Sequence, residues 1–118
     1  LLHRATRRGP RLLVAWSGGA DSTYLLERLV ACRRAGAPVE LTAAHVQHGL
    51  RGAAAEADLE HCASRARALG VPLEVARLEP PRGAGETWAR GARYAALREI
   101  GLRCGANAVL TAQHLDDL

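Results

Sequence analysis

The chain contains no lysine, no methionine and no phenylalanine, and only two tryptophans and two tyrosines among 118 residues. All 16 basic residues are therefore arginines, set against 12 acids for a net charge of +4. Arginine is permanently charged and meets phosphate in a fixed fork, so the basic balance admits a nucleic-acid partner without requiring one. The missing methionine sets the expectation that the amino terminus is trimmed or processed. The three cysteines, Cys32, Cys62 and Cys104, form no Cys-x-x-Cys pair, which argues against a zinc knuckle or an iron–sulfur site. An odd number without a disulfide pattern fits a reducing, cytoplasmic setting. All three fall where helical spacing is read, and buried small apolar positions are expected there. No apolar run approaches membrane-spanning length, and residues 1–11 carry arginines without a following apolar core. Neither a membrane span nor a signal peptide is expected. Repeats, low-complexity tracts and linkers are also absent. Both Gly-x-x-x-x-Gly-Lys-[Ser/Thr] and Gly-x-Gly-x-x-Gly are missing, which removes the two commonest phosphate loops.

What the chain does have is an alternation of short apolar runs and helical periods. Apolar residues make up 48% of it, enough for a core in one domain or part of one. Residues 1–11 read as a basic lead-in, either frayed or touching RNA phosphates. Strands are expected over 11–16, 39–46, 72–78 and 108–112, and helices over 21–35, 53–69 and 86–104. The first helix carries Leu25, Leu26, Leu29 and Val30 as its stripe and stops at Gly36. The second carries Leu59, Cys62, Ala66 and Leu69 and stops at Gly70. This order predicts an α/β fold, a Rossmann-like three-layer domain with a parallel sheet flanked by helices, cut off in mid-domain at its carboxyl end. In such sheets ligands bind outside the carboxyl ends of the strands, and three polar clusters follow strand ends here.

The first cluster is Ser17-Gly18-Gly19-Ala20-Asp21-Ser22, set between strand and helix. Glycines let the backbone turn sharply, and amides at a helix start attract anions, so phosphate is the expected occupant. Ser17 and Ser22 add hydroxyls. Asp21 either helps hold a metal ion or caps the helix. The second cluster is His45-Val46-Gln47-His48-Gly49-Leu50-Arg51. Two imidazoles three apart suggest a metal, but no third ligand lies nearby in sequence; His45 is equally placed for a nucleotide base to lie against the backbone there, and Arg51 can meet a phosphate. The third is Gln113-His114-Leu115-Asp116-Asp117, where carboxylates can hold Mg²⁺ between phosphates or cap a following helix. A fourth segment opens the third helix: Glu86 is placed to cap it or orient an arginine, while Arg90, Arg93 and Tyr94 share roughly one face, suited to phosphate and base or simply solvated, with Tyr94 in the core.

Ser-Gly-Gly-x-Asp-Ser is the signature of the PP-loop ATP pyrophosphatases. With His-x-x-His-Gly-Leu, Ala-Arg-x-x-Arg-Tyr and Ala-Gln-His-x-Asp-Asp in this order, the chain resembles the tRNA(Ile)-lysidine synthetase family from residue 12 to residue 117. Gln113 replaces a histidine frequent there, and Leu118 a glutamine. The resemblance implies that 12–118 is the amino-terminal part of an ATP-binding domain. It implies ligation of free lysine to carbon 2 of the wobble cytidine of tRNA(Ile) with a CAU anticodon, through an adenylated cytidine, with AMP and pyrophosphate released. ATP would lie on Ser17, Gly18, Gly19, Ala20, Asp21, Ser22 and His45. Asp21, His114 and Asp117 would be catalytic, Asp21 and Asp117 would hold Mg²⁺, and Arg51, Arg90 and Arg93 would contact tRNA or phosphate. The enzyme would be cytoplasmic, with a homodimer as a possible assembly. The rivals are a tRNA 2-thiolation enzyme, a small-molecule ligase using the same adenylation step, and a nucleotide-binding sensor without turnover.

Overall fold

The structure, a computed structural model, describes residues 9–17, 19–47, 53–113 and 115–118. Most of the basic lead-in, together with Gly18, the segment 48–52 that includes Arg51, and His114, lies outside the described residues. The elements run β1 (Arg11–Ala15), α1 (Ala20–Arg34), β2 (Glu40–Gln47), α2 (Ala53–Leu69), β3 (Leu73–Arg77), α3 (Glu86–Cys104), β4 (Ala108–Leu110) and β5 (Leu115–Asp117). The bounds expected for α2 and α3 are those observed, and the other expected elements differ by one or two residues at their ends.

Strand order is β3-β2-β1-β4-β5. The first four strands are parallel, with Val14 opposite both Ala43 and Leu110. Successive side chains of a strand point to opposite faces, and β1 shows this cleanly. Val14 and Trp16 enter a cluster with Leu26 and Val30 of α1 and Cys62 and Ala66 of α2. Leu13 and Ala15 enter a second cluster with Leu97 and Ile100 of α3. Both faces of the sheet are thus covered, α1 and α2 on one side and α3 on the other. That is why β1 and β2 are nearly continuous apolar runs rather than alternating ones. Leu13, Val14 and Leu26 are wholly buried, each stabilising the fold by about 1.5–3 kcal/mol. Ion pairs such as Arg77–Glu56 and Arg103–Glu74 are solvent-exposed and contribute little.

Two expectations need correction. Cys62 is buried, but Cys32 is exposed on the outer side of α1. The segment 115–117 is neither loop nor helix cap: it returns as β5, antiparallel to β4, with Leu115 opposite Leu110 and Asp117 opposite Ala108. The physical reason lies at Leu118, which packs against the α3 cluster while its N–H donates to the Asn107 carbonyl at 2.9 Å.

Gly105 ends α3 at φ 73°, in the left-handed region. A Cβ there would be strained whatever the space around it. Gly105→Ala is expected to lower stability by about 1 kcal/mol, read as a shift of the urea midpoint at unchanged slope. An unshifted midpoint would show that this turn relaxes.

Candidate active site

The chain passes from β1 to β2 and β3 on one side, then crosses back to place β4 on the other side of β1. Strand order therefore reverses between β1 and β4, and a crevice opens outside their carboxyl ends. A cleft of about 510 Å³ lies there. Its walls come from residues 15–17 and 19–22, from 45–47 at the end of β2, from Ala55 and Asp58 of α2, Arg93 of α3, and 111–113 after β4. The convergence expected from the sequence is thus present for parts of all three polar clusters.

The turn between β1 and α1 is held from within. The Ser17 N–H donates to Ser22 Oγ at 3.2 Å, the two hydroxyls lie 3.0 Å apart, and the Gly19 N–H donates to Ser17 Oγ at 3.2 Å. Ser22 is 6% exposed whereas Ser17, Gly19, Ala20 and Asp21 are exposed. Gly19, not Asp21, is the N-cap, with extended backbone and no side-chain hydrogen bond to the helix amides. The capping role considered for Asp21 is therefore corrected. Its carboxylate lies in the first turn of α1 and lines the cleft. With no side-chain cap in the way, the positive end of the helix faces an incoming anion.

Trp16 anchors this turn. It is 1% exposed, its N–H donates to the Ala44 carbonyl at 2.8 Å, and its indole N–H donates to Thr23 Oγ1 at 2.9 Å. Its own carbonyl meets His45 Nδ1 at 3.0 Å. A carbonyl only accepts, so the His45 Nδ1 is the donor in this pairing. Cys62 Sγ lies 3.7 Å from the same Nδ1. Burial, and then the Asp58 charge, push the Cys62 thiol above its ordinary pKa, so it is protonated at neutral pH. Gln47 is 4% exposed and donates from Nε2 to the Ala55 carbonyl at 2.7 Å.

Arg93 reaches the cleft, whereas Arg90 is exposed one turn earlier and does not line it. The two arginines are not brought together there. Tyr94 is 37% exposed rather than in the core. Desolvation, the Asp116 charge and a hydrogen bond to that carboxylate raise its hydroxyl pKa, so Asp116 is engaged with α3. Gly85 caps α3 without a side-chain bond, so Glu86 does not cap it. Asp117 lies opposite Ala108, at the amino end of β4. It is not among the residues that line the cleft, so the structure does not bring it to the wall where Asp21 lies. Asp58 faces the cleft instead and was not singled out from the sequence. Its signal was available: Asp58, Cys62 and Ala66 recur every four residues along α2, so a carboxylate interrupts an otherwise apolar stripe. Gln47 was likewise legible as the polar end of the buried series Leu41, Ala43, His45.

Among the described residues no group of three or more His, Cys, Asp or Glu side chains could hold a metal ion. No helix among them is long and apolar enough to cross a membrane.

A family model described as a PP-loop domain matches residues 2–118. Curated relatives called tRNA(Ile)-lysidine synthase include one from Burkholderia mallei, 48% identical over 109 residues, covering 90% of this chain and 22% of the relative. Another, from Ralstonia nicotianae, is 46% identical over 112 residues, covering 92% and 24%. A third, from Shigella flexneri, is 43% identical over 118 residues, covering 98% and 27%. The chain thus spans about a quarter of the length of these relatives. Among solved structures, the U34-tRNA thiolase NcsA from Methanococcus maripaludis superposes with a TM-score of 0.75 at 14% identity, covering 89% of this chain and 38% of that one. At that identity the likeness is one of fold.

Proposed function

This chain belongs to the PP-loop family, and from that premise we propose that it is the ATP-binding part of a tRNA(Ile)-lysidine synthetase acting in the cytoplasm. The observation that carries the reading is the turn 17–22, with its paired serine hydroxyls and uncapped helix start, at the point where strand order reverses. The names of the relatives and the segment order supply the substrate class.

In this reading the terminal phosphates of ATP lie on the amides and hydroxyls of the turn. The O2 oxygen of the wobble cytidine attacks the α-phosphorus, forming a P–O bond as the bond to pyrophosphate breaks. The ε-amine of lysine then attacks carbon 2, AMP leaves with that oxygen, and the amine loses a proton. Hydrogen-bond donors fixed before the reaction stabilise the charge that builds on the leaving pyrophosphate. Arg93 adds a cation on the opposite wall of the cleft. His114 is assigned to the cytidine or to proton transfer, and Arg51 and Arg90 to tRNA phosphates.

Magnesium needs only one or two carboxylates when phosphates and water complete its shell. The cleft fits that demand with Asp21 on one wall and Asp58 on another. When bound, the ion would neutralise phosphate charge.

The test uses the full-length protein with ATP, Mg²⁺, radiolabelled lysine and a tRNA(Ile) transcript carrying CAU. Label is expected to enter the RNA and to disappear when the wobble cytidine is changed. ATP cleavage to AMP and pyrophosphate without lysine incorporation would keep the ATP site and overturn the ligase reading, leaving thiolation or a small-molecule acceptor. The three dispersed cysteines argue against thiolation that depends on cysteine pairs.

A further inference from the structure

Helix α1 leaves the cleft wall at Asp21 and carries an aromatic ring and a cation along its outer side. Tyr24 is three residues beyond Asp21 and Arg28 four beyond Tyr24, so the three stand on successive turns of one helix face. Tyr24 is 67% exposed, more than any other large hydrophobic side chain among the described residues. Arg28 is exposed as well. Neither makes a hydrogen bond, an ion pair or a ring contact among the described residues. Elsewhere on the fold arginines are committed: Arg11 to Glu40, Arg65 to Glu27, Arg77 to Glu56 and Arg103 to Glu74. Glu27, the acid beside Arg28 in sequence, is thus already taken by Arg65. The packing of α1 does not use the pair either, because Leu26 and Val30 seat the helix from its other side.

A bare ring with an uncommitted guanidinium one turn away suits an unpaired nucleotide. Bases outside a duplex stack on aromatic rings, and a guanidinium meets the adjoining phosphate in a fixed fork. The helix positions one turn to either side of the ring are Ala20, Asp21, Glu27 and Arg28, so it lacks the apolar surround of a protein interface core. Resting on the lysidine-synthetase reading above, we propose that Tyr24 is a stacking platform for a nucleotide next to the wobble cytidine, with Arg28 on its phosphate. The helix rises about 4.5 Å from Asp21 to Tyr24, a step of the same order as the rise between stacked neighbours in a strand, about 3.4 Å. With the cytidine in the cleft, an adjacent base is therefore within reach of the ring. Tyr24 is a positioning residue in this scheme: it holds the RNA and leaves the adenylation step to the turn.

The test uses the full-length protein, ATP and the tRNA(Ile) transcript carrying CAU. Tyr24→Ala is expected to bind the transcript about tenfold more weakly and to raise its KM by a similar factor. ATP affinity, and kcat at saturating tRNA, should stay within about twofold of wild type. Tyr24→Phe keeps the ring and should match the wild type in all of these. Arg28→Gln should weaken tRNA binding and reduce the slope of its salt dependence by about one. An abasic site at one neighbour of the wobble cytidine should weaken wild-type binding as Tyr24→Ala does, and add nothing further in that variant. Wild-type tRNA affinity in both Tyr24→Ala and Arg28→Gln would overturn the inference and leave this face to a protein partner or to solvent. Tyr24→Phe as weak as Tyr24→Ala would overturn stacking. So would an equal loss of ATP affinity in Tyr24→Ala, which would put the ring's effect in the phosphate turn. Failure of the wild type to bind this tRNA at all would overturn the lysidine-synthetase reading itself, a result distinct from these.

Discussion

Replacing Asp21 by alanine is expected to reduce tRNA-dependent ATP–pyrophosphate exchange by roughly a thousandfold while the protein stays folded. The carboxylate is exposed in the first turn of α1 and caps nothing. Its removal therefore costs only the favourable placement of an acid at a helix start, about 0.3–1 kcal/mol. At the cleft the same carboxylate is placed to hold the cation that neutralises phosphate. Circular dichroism and the urea midpoint report the fold, and exchange of labelled pyrophosphate into ATP reports the chemistry. Asp21→Asn keeps the shape without the charge and is expected to be nearly as inactive. Exchange at the wild-type rate in Asp21→Ala would remove Asp21 from the site and weaken the adenylation reading.

The second large effect is expected at Trp16. It is among the largest fully buried side chains and packs with Leu26 and Val30 beneath the turn. Trp16→Ala should cost about 3–5 kcal/mol and weaken ATP binding, because the residue that steers Ser17 loses its seat. Trp16→Phe keeps most of the apolar contact and loses the bond to Thr23 Oγ1. That variant should cost about 1 kcal/mol and bind ATP nearly normally. Urea unfolding and nucleotide titration separate the two effects. A Trp16→Ala protein within 1 kcal/mol of wild type would show that the turn does not depend on this anchor.

Much of this architecture was readable from residue order. The alternation of apolar runs with helical periods gave the parallel strands, and glycines at 36 and 70 marked helix ends through backbone freedom that other residues lack. The turn 17–22 could be placed because its residue types answer one local physical demand, the closing of a strand onto a helix start. What stayed hidden depended on contacts distant in sequence. The antiparallel return of β5 follows from Leu118 finding the α3 cluster and Asn107, which no local pattern announces. Asp117 is thereby carried to the far end of β4, although residues 111–113, a few positions earlier, border the cleft. Asp58 and Gln47 were visible as polar interruptions of apolar series, but their meaning required knowing that α2 overhangs the end of β2.

The two apolar clusters on either face of the sheet have a consequence for how the molecule responds to its ligand. Each helical layer rests on its own cluster and can loosen by itself, as sub-global openings do in native proteins. The cleft draws on both layers, taking the turn and Asp58 from the α1–α2 side and Arg93 from the α3 side. A nucleotide spanning it is a strut between them. Opening of either layer then breaks ligand contacts, so occupancy couples two motions that are separate in the empty protein, and amide protection rises on both faces together rather than only around the phosphates.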